Sequence, residues 1–399
     1  MKEARLVVGL MTGTSLDGVD AALVEIIGSG LFTQIKLKHF NSAPFDSRIR
    51  DQLLRVASGK LVSVQIISHL NFLLGILYSE AVFRLCKQAR IDVHQVDLIG
   101  SHGQTIFHQS EPSSFCGRRI ASTLQIGEPA FLAENTGITT IYDLRPRDMA
   151  AGGKGAPLIP YVDYILFRDL RLGRVLLNIG GIANVTSIPP SAKIVQVKAF
   201  DTGPGNMVID ALIRRFTQNQ RKFDHRGDIA RSGKVIPSLL ESLLADPYFA
   251  LKPPKTAGRE QFGELFVSKL LDQEGSHPFE DLVCTATEVT ARSIARAITE
   301  FVLPQAHMDQ LIISGGGAHN DFLLQRLAAL LPQLEVSRSD DFGIPADAKE
   351  AIGFAILANE TFNLHAGNVP SATGARHPVV LGKVVYGNNY KSLRGIVKS

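Results

Sequence analysis

The sequence predicts an α/β fold of two similar domains, each a mixed sheet flanked by helices. Three observations carry that prediction. A pattern of strand, glycine-rich turn, strand and strand occurs twice, from Arg5 and again from Arg174. Each occurrence leads through helical segments to a short apolar strand that ends in a polar or glycine-rich turn. The length, 399 residues, is enough for two domains that each bury a core.

In the first copy, residues 5–11 are an apolar strand, 12–18 a glycine-containing turn and 21–27 a second strand. Over 32–39, Ile35 and Leu37 alternate with Lys36 and Lys38, the period of a half-buried strand. Helical spacing covers 47–57 and 62–88. Ser63, Gln65, Ser68, His69, Asn71, Glu80 and Arg84 interrupt the second stretch, so it reads as an amphipathic helix and not a membrane span. Residues 96–100 read as a buried strand ended by a turn at 101–104. The second copy repeats the grammar: strands at 175–179, 185–188 and 194–200, with Gly180-Gly181-Ile182-Ala183-Asn184 as the turn. A helix starts near Asn206, a long one covers 283–301, and the strand 311–314 runs into Gly315-Gly316-Gly317 before a helix at 321–331. A meander followed by βα units is the plan of an RNase H-like domain. Two of them facing each other make the actin-like ATPase architecture, with the active site in the interdomain cleft. The expected domains are 1–140 with about 348–399, holding a first phosphate loop and the C-terminal helix, and 141–347, holding a second phosphate loop, a catalytic aspartate and an adenosine loop.

Composition excludes several function classes. The chain has 42 basic and 38 acidic residues, and pairs such as Arg118-Arg119 and Arg214-Arg215 stand alone, so no nucleic-acid stripe is present. Three cysteines, Cys86, Cys116 and Cys284, are too few and too scattered for a disulfide framework. Residues 1–9 hold no signal-peptide core. A cytoplasmic protein without a membrane partner is expected, and a homodimer is compatible with it.

The glycine segments fit neither common nucleotide motif. No Gly-Lys pair is followed by Ser or Thr, which excludes a P-loop. Gly13 and Gly18 lack the Rossmann spacing. Gly13-Thr14-Ser15-Leu16-Asp17-Gly18 and Gly180-Gly181-Ile182-Ala183-Asn184 instead have the form of hairpin phosphate loops, where backbone N–H groups approach an anion. Each alone also reads as an ordinary hairpin turn; their equivalent positions in the two copies favour a clamped nucleotide. Asp17 is placed to hold Mg²⁺ through water. Gly315, Gly316 and Gly317 offer flat backbone for an adenine or ribose, or simply a tight strand-to-helix turn. Asp201, in Phe200-Asp201-Thr202-Gly203-Pro204-Gly205-Asn206, is open to two readings: a general base beside the γ-phosphate, or a helix N-cap. Asp143 and Asp148 with Arg145 and Arg147 read as an ion-pair cluster, and Lys255 with Arg259-Glu260 as a surface loop.

Seven runs together resemble one family. They are Gly13-Thr14-Ser15-Leu16-Asp17-Gly18-Val19-Asp20, Ser101-His102-Gly103-Gln104-Thr105, Leu124-Gln125-Ile126-Gly127, the stretch from Asp148 to Leu158, Asn178-Ile179-Gly180-Gly181, the stretch from Phe200 to Asn206, and Ile344-Pro345-Ala346-Asp347-Ala348-Lys349-Glu350-Ala351. In this order they are similar to the signature runs of anhydro-N-acetylmuramic acid kinases, and the resemblance extends from about Leu6 to Leu381. The resemblance implies that Gly13 to Asp20 bind ATP and that Asp201 is the catalytic base. It places Glu350 near the sugar. His102 and His108 are too few for a metal site, and His102 reads as a turn residue or, with Gln104, as a substrate contact. The resemblance also implies hydrolytic opening of a 1,6-anhydro sugar coupled to phosphorylation of O6, with ATP and Mg²⁺ as cofactors. Without the resemblance, an ordinary sugar or acetate kinase and a non-enzymatic ATPase-fold switch both stay open. The chain departs from the family pattern after Gly387 and, by extra length, between Gln109 and Ala121.

Overall fold

The computed structural model describes residues 4–13, 16–59, 61–272, 275 and 277–393. The chain divides into two units, Met1–Ile165 with Ala348–Ser399, and Leu166–Asp347. In chain order the strands are β1 Ala4–Thr12, β2 Gly18–Ile27, β3 Gln34–Pro44, β4 Leu98–Phe115, β5 Arg118–Ile126 and β6 Thr139–Tyr142. They continue as β7 Arg174–Ile179, β8 Ile182–Ile188, β9 Lys198–Pro204, β10 Gln310–Ser314, β11 Glu335–Arg338 and β12 Lys383–Val385.

Unit 1 orders its sheet β12-β6-β4-β1-β2-β3, with β5 paired to β4. β1, β2 and β3 are an antiparallel meander, β4 lies parallel to β1, and β6 lies parallel to β4. Unit 2 orders its sheet β11-β10-β7-β8-β9, with an antiparallel meander β7-β8-β9 and parallel β10 and β11. Without β5 and β12, the two sheets share one strand order and one set of directions. That is the RNase H-like plan the repeated grammar predicts.

Both faces of the unit 1 sheet are covered, so β1 runs apolar from Leu6 to Met11 and β2 from Ala21 to Val24 instead of alternating. The helix Val64–Ala89 buries Leu74, Tyr78, Val82 and Leu85 on one face with Val8, Leu23 and Ile99. It is the one helix among the described residues long and apolar enough to cross a membrane, and one of its faces packs into the core of unit 1. The helix Lys349–Phe362 lies on the other face. It comes so close that a Cβ on Gly9 would stand 1.9 Å from the Ala351 carbonyl oxygen, and one on Gly100 2.2 Å from that of Phe354. Gly9 and Gly100 are direct neighbours on β1 and β4, so the glycine pair sets the approach of this helix. Unit 2 packs Val175, Leu177, Leu311 and Ile313 against Ile294 and Ile298 of the helix Phe279–Phe301 and Leu323 and Leu327 of the helix Asp321–Leu330.

Three expectations need correction. Residues 101–104 do not end a strand: β4 runs on to Phe115 and returns as β5, pairing from Gln104 with Ile126 to Phe115 with Arg118. The extra length between Gln109 and Ala121 is therefore a β-ribbon arm. Asp201 is no helix cap: it lies within β9, and Gly205 caps the helix Asn206–Phe216. Unit 1 extends through Ile165 and not only to residue 140, because β6 joins its sheet and Asp148 is bonded by Asn368 and Thr373.

Candidate active site

In unit 2 the predicted segments meet at one end of the sheet. The Gly180-Gly181 turn joins β7 to β8, and its carbonyls accept from the first amides of the next helix: Gly205 N to Gly181 O at 2.9 Å and Asn206 N to Gly180 O at 2.8 Å. Gly205 must be glycine here, since a Cβ would stand 2.3 Å from the Gly180 oxygen. The Gly315–Gly317 loop packs on the same strand end: a Cβ on Gly315, at φ +78°, would lie 2.6 Å from Asn178 Oδ1. Across the three strands, Asn178 is opposite Asn184 and Asn184 opposite Asp201. Direct partners in a sheet point to one face, so these side chains form a polar row beside the glycine turns.

Asp201 is tightly held. Ala257 N–H donates to its Oδ2 at 2.8 Å, Tyr248 Oη–H donates to its carbonyl at 2.8 Å, and its own N–H donates to the Lys255 carbonyl at 3.1 Å. Burial pushes its carboxyl pKa up to about 7. The Ala257 N–H and the Lys255 cation pull the other way, and Glu260 adds a smaller upward push. A carboxylate poised near neutrality and held through one oxygen suits proton abstraction.

In unit 1 the first glycine loop joins β1 to β2. Thr14 and Ser15 lie outside the described residues. Beside them Leu16 has φ +58°, a left-handed conformation that a branched side chain adopts at a cost of roughly 1–2 kcal/mol. The loop is braced from below: Gln104 Nε2 donates to Gly13 O at 3.2 Å, and Thr12 Oγ1 to Gly103 O at 2.8 Å. Gly18 lies against the Ala43 carbonyl, leaving no room for a Cβ. Asp17 is exposed and pairs with Arg50 at 3.4 Å. Val19 is buried in the core, and Asp20 lies across from Met11 and Ser42.

His102, Arg145 and Glu350 form the second feature of this unit. Arg145 Nε and Nη2 donate to His102 Nε2 at 3.1 and 2.7 Å, and Nη1 donates to Gly155 O at 2.8 Å. His102 is buried, and burial and the Arg145 charge push its pKa down to about 3, so it is a neutral acceptor. Burial lowers Arg145 to about 10, opposed by Glu350 and Asp148. Half-buried Glu350 has its pKa raised by burial and by Asp20 and Asp163, against Lys349 and Arg145. Lys349 itself pairs with buried Asp163 at 2.7 Å.

The expected four-residue ion-pair cluster is not what forms. Asp148 is fully buried and accepts from Gly155 N, Asn368 Nδ2 and Thr373 Oγ1, while Asp143 pairs with Lys383. His102 and Gln104 face inward, onto Arg145 and the Gly13 carbonyl. Sequence reasoning missed the roles of Arg145, Asn178, Tyr248 and Lys255 here. The Asn178-Ile179-Gly180-Gly181 run was a signal for the second of them.

A family model described as anhydro-N-acetylmuramic acid kinase matches residues 5–387. An anhydro-N-acetylmuramic acid kinase of Caldanaerobacter subterraneus subsp. tengcongensis is 48% identical over 385 residues, covering 96% of this chain and 97% of its own length. One of Bacillus cereus is 47% identical over 382 residues, covering 95% and 99%. Among solved structures, the activator of the 2-hydroxyisocaproyl-CoA dehydratase from Clostridium difficile with bound ADPNP covers 88% of this chain and 94% of its own. Its TM-score of 0.44 at 10% identity is too loose a likeness to carry an inference.

Proposed function

Because the chain belongs to the anhydro-N-acetylmuramic acid kinase family, and is thus a phosphotransferase of cell-wall recycling, we propose that it acts on 1,6-anhydro-N-acetylmuramic acid with ATP. The products are N-acetylmuramic acid 6-phosphate and ADP, and the reaction runs in the cytoplasm. The observation that supports this best is Asp201, a carboxyl group held by the Ala257 N–H at the end of a polar strand row, its pKa pushed up to about 7 by burial.

In the proposed reaction Asp201 takes a proton from a water molecule whose oxygen bonds to the anomeric carbon. The bond from that carbon to the bridging oxygen breaks. The released O6 bonds to the γ-phosphorus of ATP, and the bond to the ADP oxygen breaks. Positioning and electrostatics do most of the work in such a transfer. Gly13 to Asp20 in unit 1 and Gly180, Gly181, Asn184 and Gly315 to Gly317 in unit 2 supply the nucleotide contacts. Glu350 and the Arg145 guanidinium face the sugar. His102 and Gln104 act one step behind, fixing Arg145 and the Gly13 loop.

Asp17 fits a magnesium ion that arrives with the nucleotide. It is a single exposed carboxylate at a phosphate-type loop, already paired with a cation, and Mg²⁺ asks for one or two carboxylates with water and phosphate oxygens. Among the described residues no group of three or more His, Cys, Asp or Glu is placed to hold a metal on its own. Bound there through water, the ion would neutralise phosphate charge.

The test is a kinase assay with 1,6-anhydro-N-acetylmuramic acid set against N-acetylmuramic acid and glucose, repeated in ¹⁸O-water. Label is expected in the anomeric hydroxyl. Label in the phosphoryl group, or equal turnover of glucose, overturns the proposal.

A further inference from the structure

We infer that the segment from Tyr248 to Ala257 is a positioning strap for the Asp201 carboxylate, with Lys255 as its anchor. The inference rests on Asp201 being the base. Asp201 receives three contacts from ten consecutive residues: the Tyr248 hydroxyl on its carbonyl, the Lys255 carbonyl on its N–H, and the Ala257 N–H on Oδ2. The first two fix the backbone and the third fixes the rotation of the carboxylate. Oδ1 is left as the oxygen that receives a proton.

Lys255 shows why the strap stays in place. Its side chain is 6% exposed. The ammonium group donates to the Tyr248 carbonyl at 3.3 Å and lies 4.7 Å from the Tyr248 ring centroid and 5.4 Å from that of Phe301. Phe301 ends the long helix Phe279–Phe301, so the side chain pins the strap to the core of unit 2. A buried ammonium with one long hydrogen bond is a costly anchor by itself, and the two ring faces offset only part of that cost. An apolar side chain would hold a loop more cheaply. What it lacks is the positive charge that favours the ionised form of Asp201.

The charged groups around the pair are few. Glu260 on the following helix acts on Asp201, and Arg296 and Glu300 on the long helix act on Lys255 with opposite signs. The Tyr248 phenol is held protonated by burial and by Asp201, so it stays a donor across the working range.

The experiment compares Lys255→Met, Lys255→Arg and Tyr248→Phe with wild type in full-length protein, using kcat, both KM values and the pH profile of kcat/KM. Lys255→Met should lower kcat about tenfold and move the acid limb upward by about one pH unit, with KM for ATP unchanged. Lys255→Arg should restore most of the limb. Tyr248→Phe, a one-atom change that keeps the ring, should lower kcat several-fold at constant KM, and it decides the case if Lys255→Met does not fold. Wild-type kcat and limb in Tyr248→Phe, or in a folded Lys255→Met, overturn the strap while a slow Asp201→Asn keeps the base. Wild-type turnover in Asp201→Asn overturns both.

Discussion

A carboxyl group that titrates near pH 7 differs from an ordinary aspartate in two measurable ways. As the proposed base, Asp201 would work only when ionised, so kcat/KM should rise with pH through about 7 and level off above it. Asp201→Asn should lower kcat by roughly 10²–10⁴-fold, the usual worth of a positioned base. Because the residue is in a strand and caps nothing, that loss cannot be traced to a frayed helix. The second effect is on stability. The folded pKa, about 7, lies above the unfolded value near 3.9, so the protonated group's contribution is full below the unfolded value. It is lost as pH climbs through the folded one. Asp201→Asn carries no charge to bury, so its melting temperature should gain on wild type between about pH 4 and 7 and keep the gain above. Equal differences at pH 5 and pH 8 would contradict the buried-carboxylate account. Asp201 was legible in the sequence because a strand end followed by Gly-Pro-Gly is a local signal. Arg145 was not: it opens a short helix, and the acceptor that orients it, His102, is 43 residues away on β4.

Among the elements, the helix Lys349–Phe362 ties packing to chemistry. It carries Lys349 and Glu350 in its first turn and rests on the glycine pair Gly9 and Gly100. Gly100→Ala would force a methyl group against the Phe354 carbonyl, so the helix must lift. Overpacking of this kind typically costs about 1–3 kcal/mol. Chemical denaturation should show that loss with an unchanged m-value, and the sugar KM should rise while that for ATP holds. An unchanged KM for sugar would separate Glu350 from the substrate. The strands were read well in the first meander; in the second, Ile182 to Asn184 belong to β8 and not to the turn, and the third strand is Lys198–Pro204 where 194–200 was expected. They were misread at β4, where Ser101 to Gln104 are polar yet buried and the strand is sustained by pairing with β5. β12, three residues at a sheet edge, gives no periodic signal at all.

At the scale of the molecule, each copy of the plan buries a core of its own, and unit 2 buries a further cluster around Leu212 and Leu240. Leu74 belongs to unit 1 and Leu327 to unit 2, and both are fully buried. Large multi-domain chains depart from a single all-or-none transition. Calorimetry should therefore resolve two transitions, with Leu74→Ala lowering one and Leu327→Ala the other, each by about 2–5 kcal/mol of local stability. A single transition moved equally by both variants would show that the cores unfold as one. The two-copy organisation was readable because each copy is contiguous up to its last parallel strand. Where one unit stops was not, since residues 141–165 join unit 1 through β6 and through the bonds to Asp148, partners that come from far along the chain.

The interrupted course of unit 1 also bears on how the chain is made. A ribosome delivers β1 to β6 early, but the helix that covers Gly9 and Gly100 only after the whole of unit 2. At ~5–20 residues per second that interval lasts on the order of 10 to 40 s. At its end, unit 2 has every strand it needs while unit 1 still has one bare sheet face. A nascent chain arrested before Ala348 should thus hold a protease-resistant unit 2 and a first sheet that recruits chaperones. Release of about fifteen further residues should abolish that recruitment.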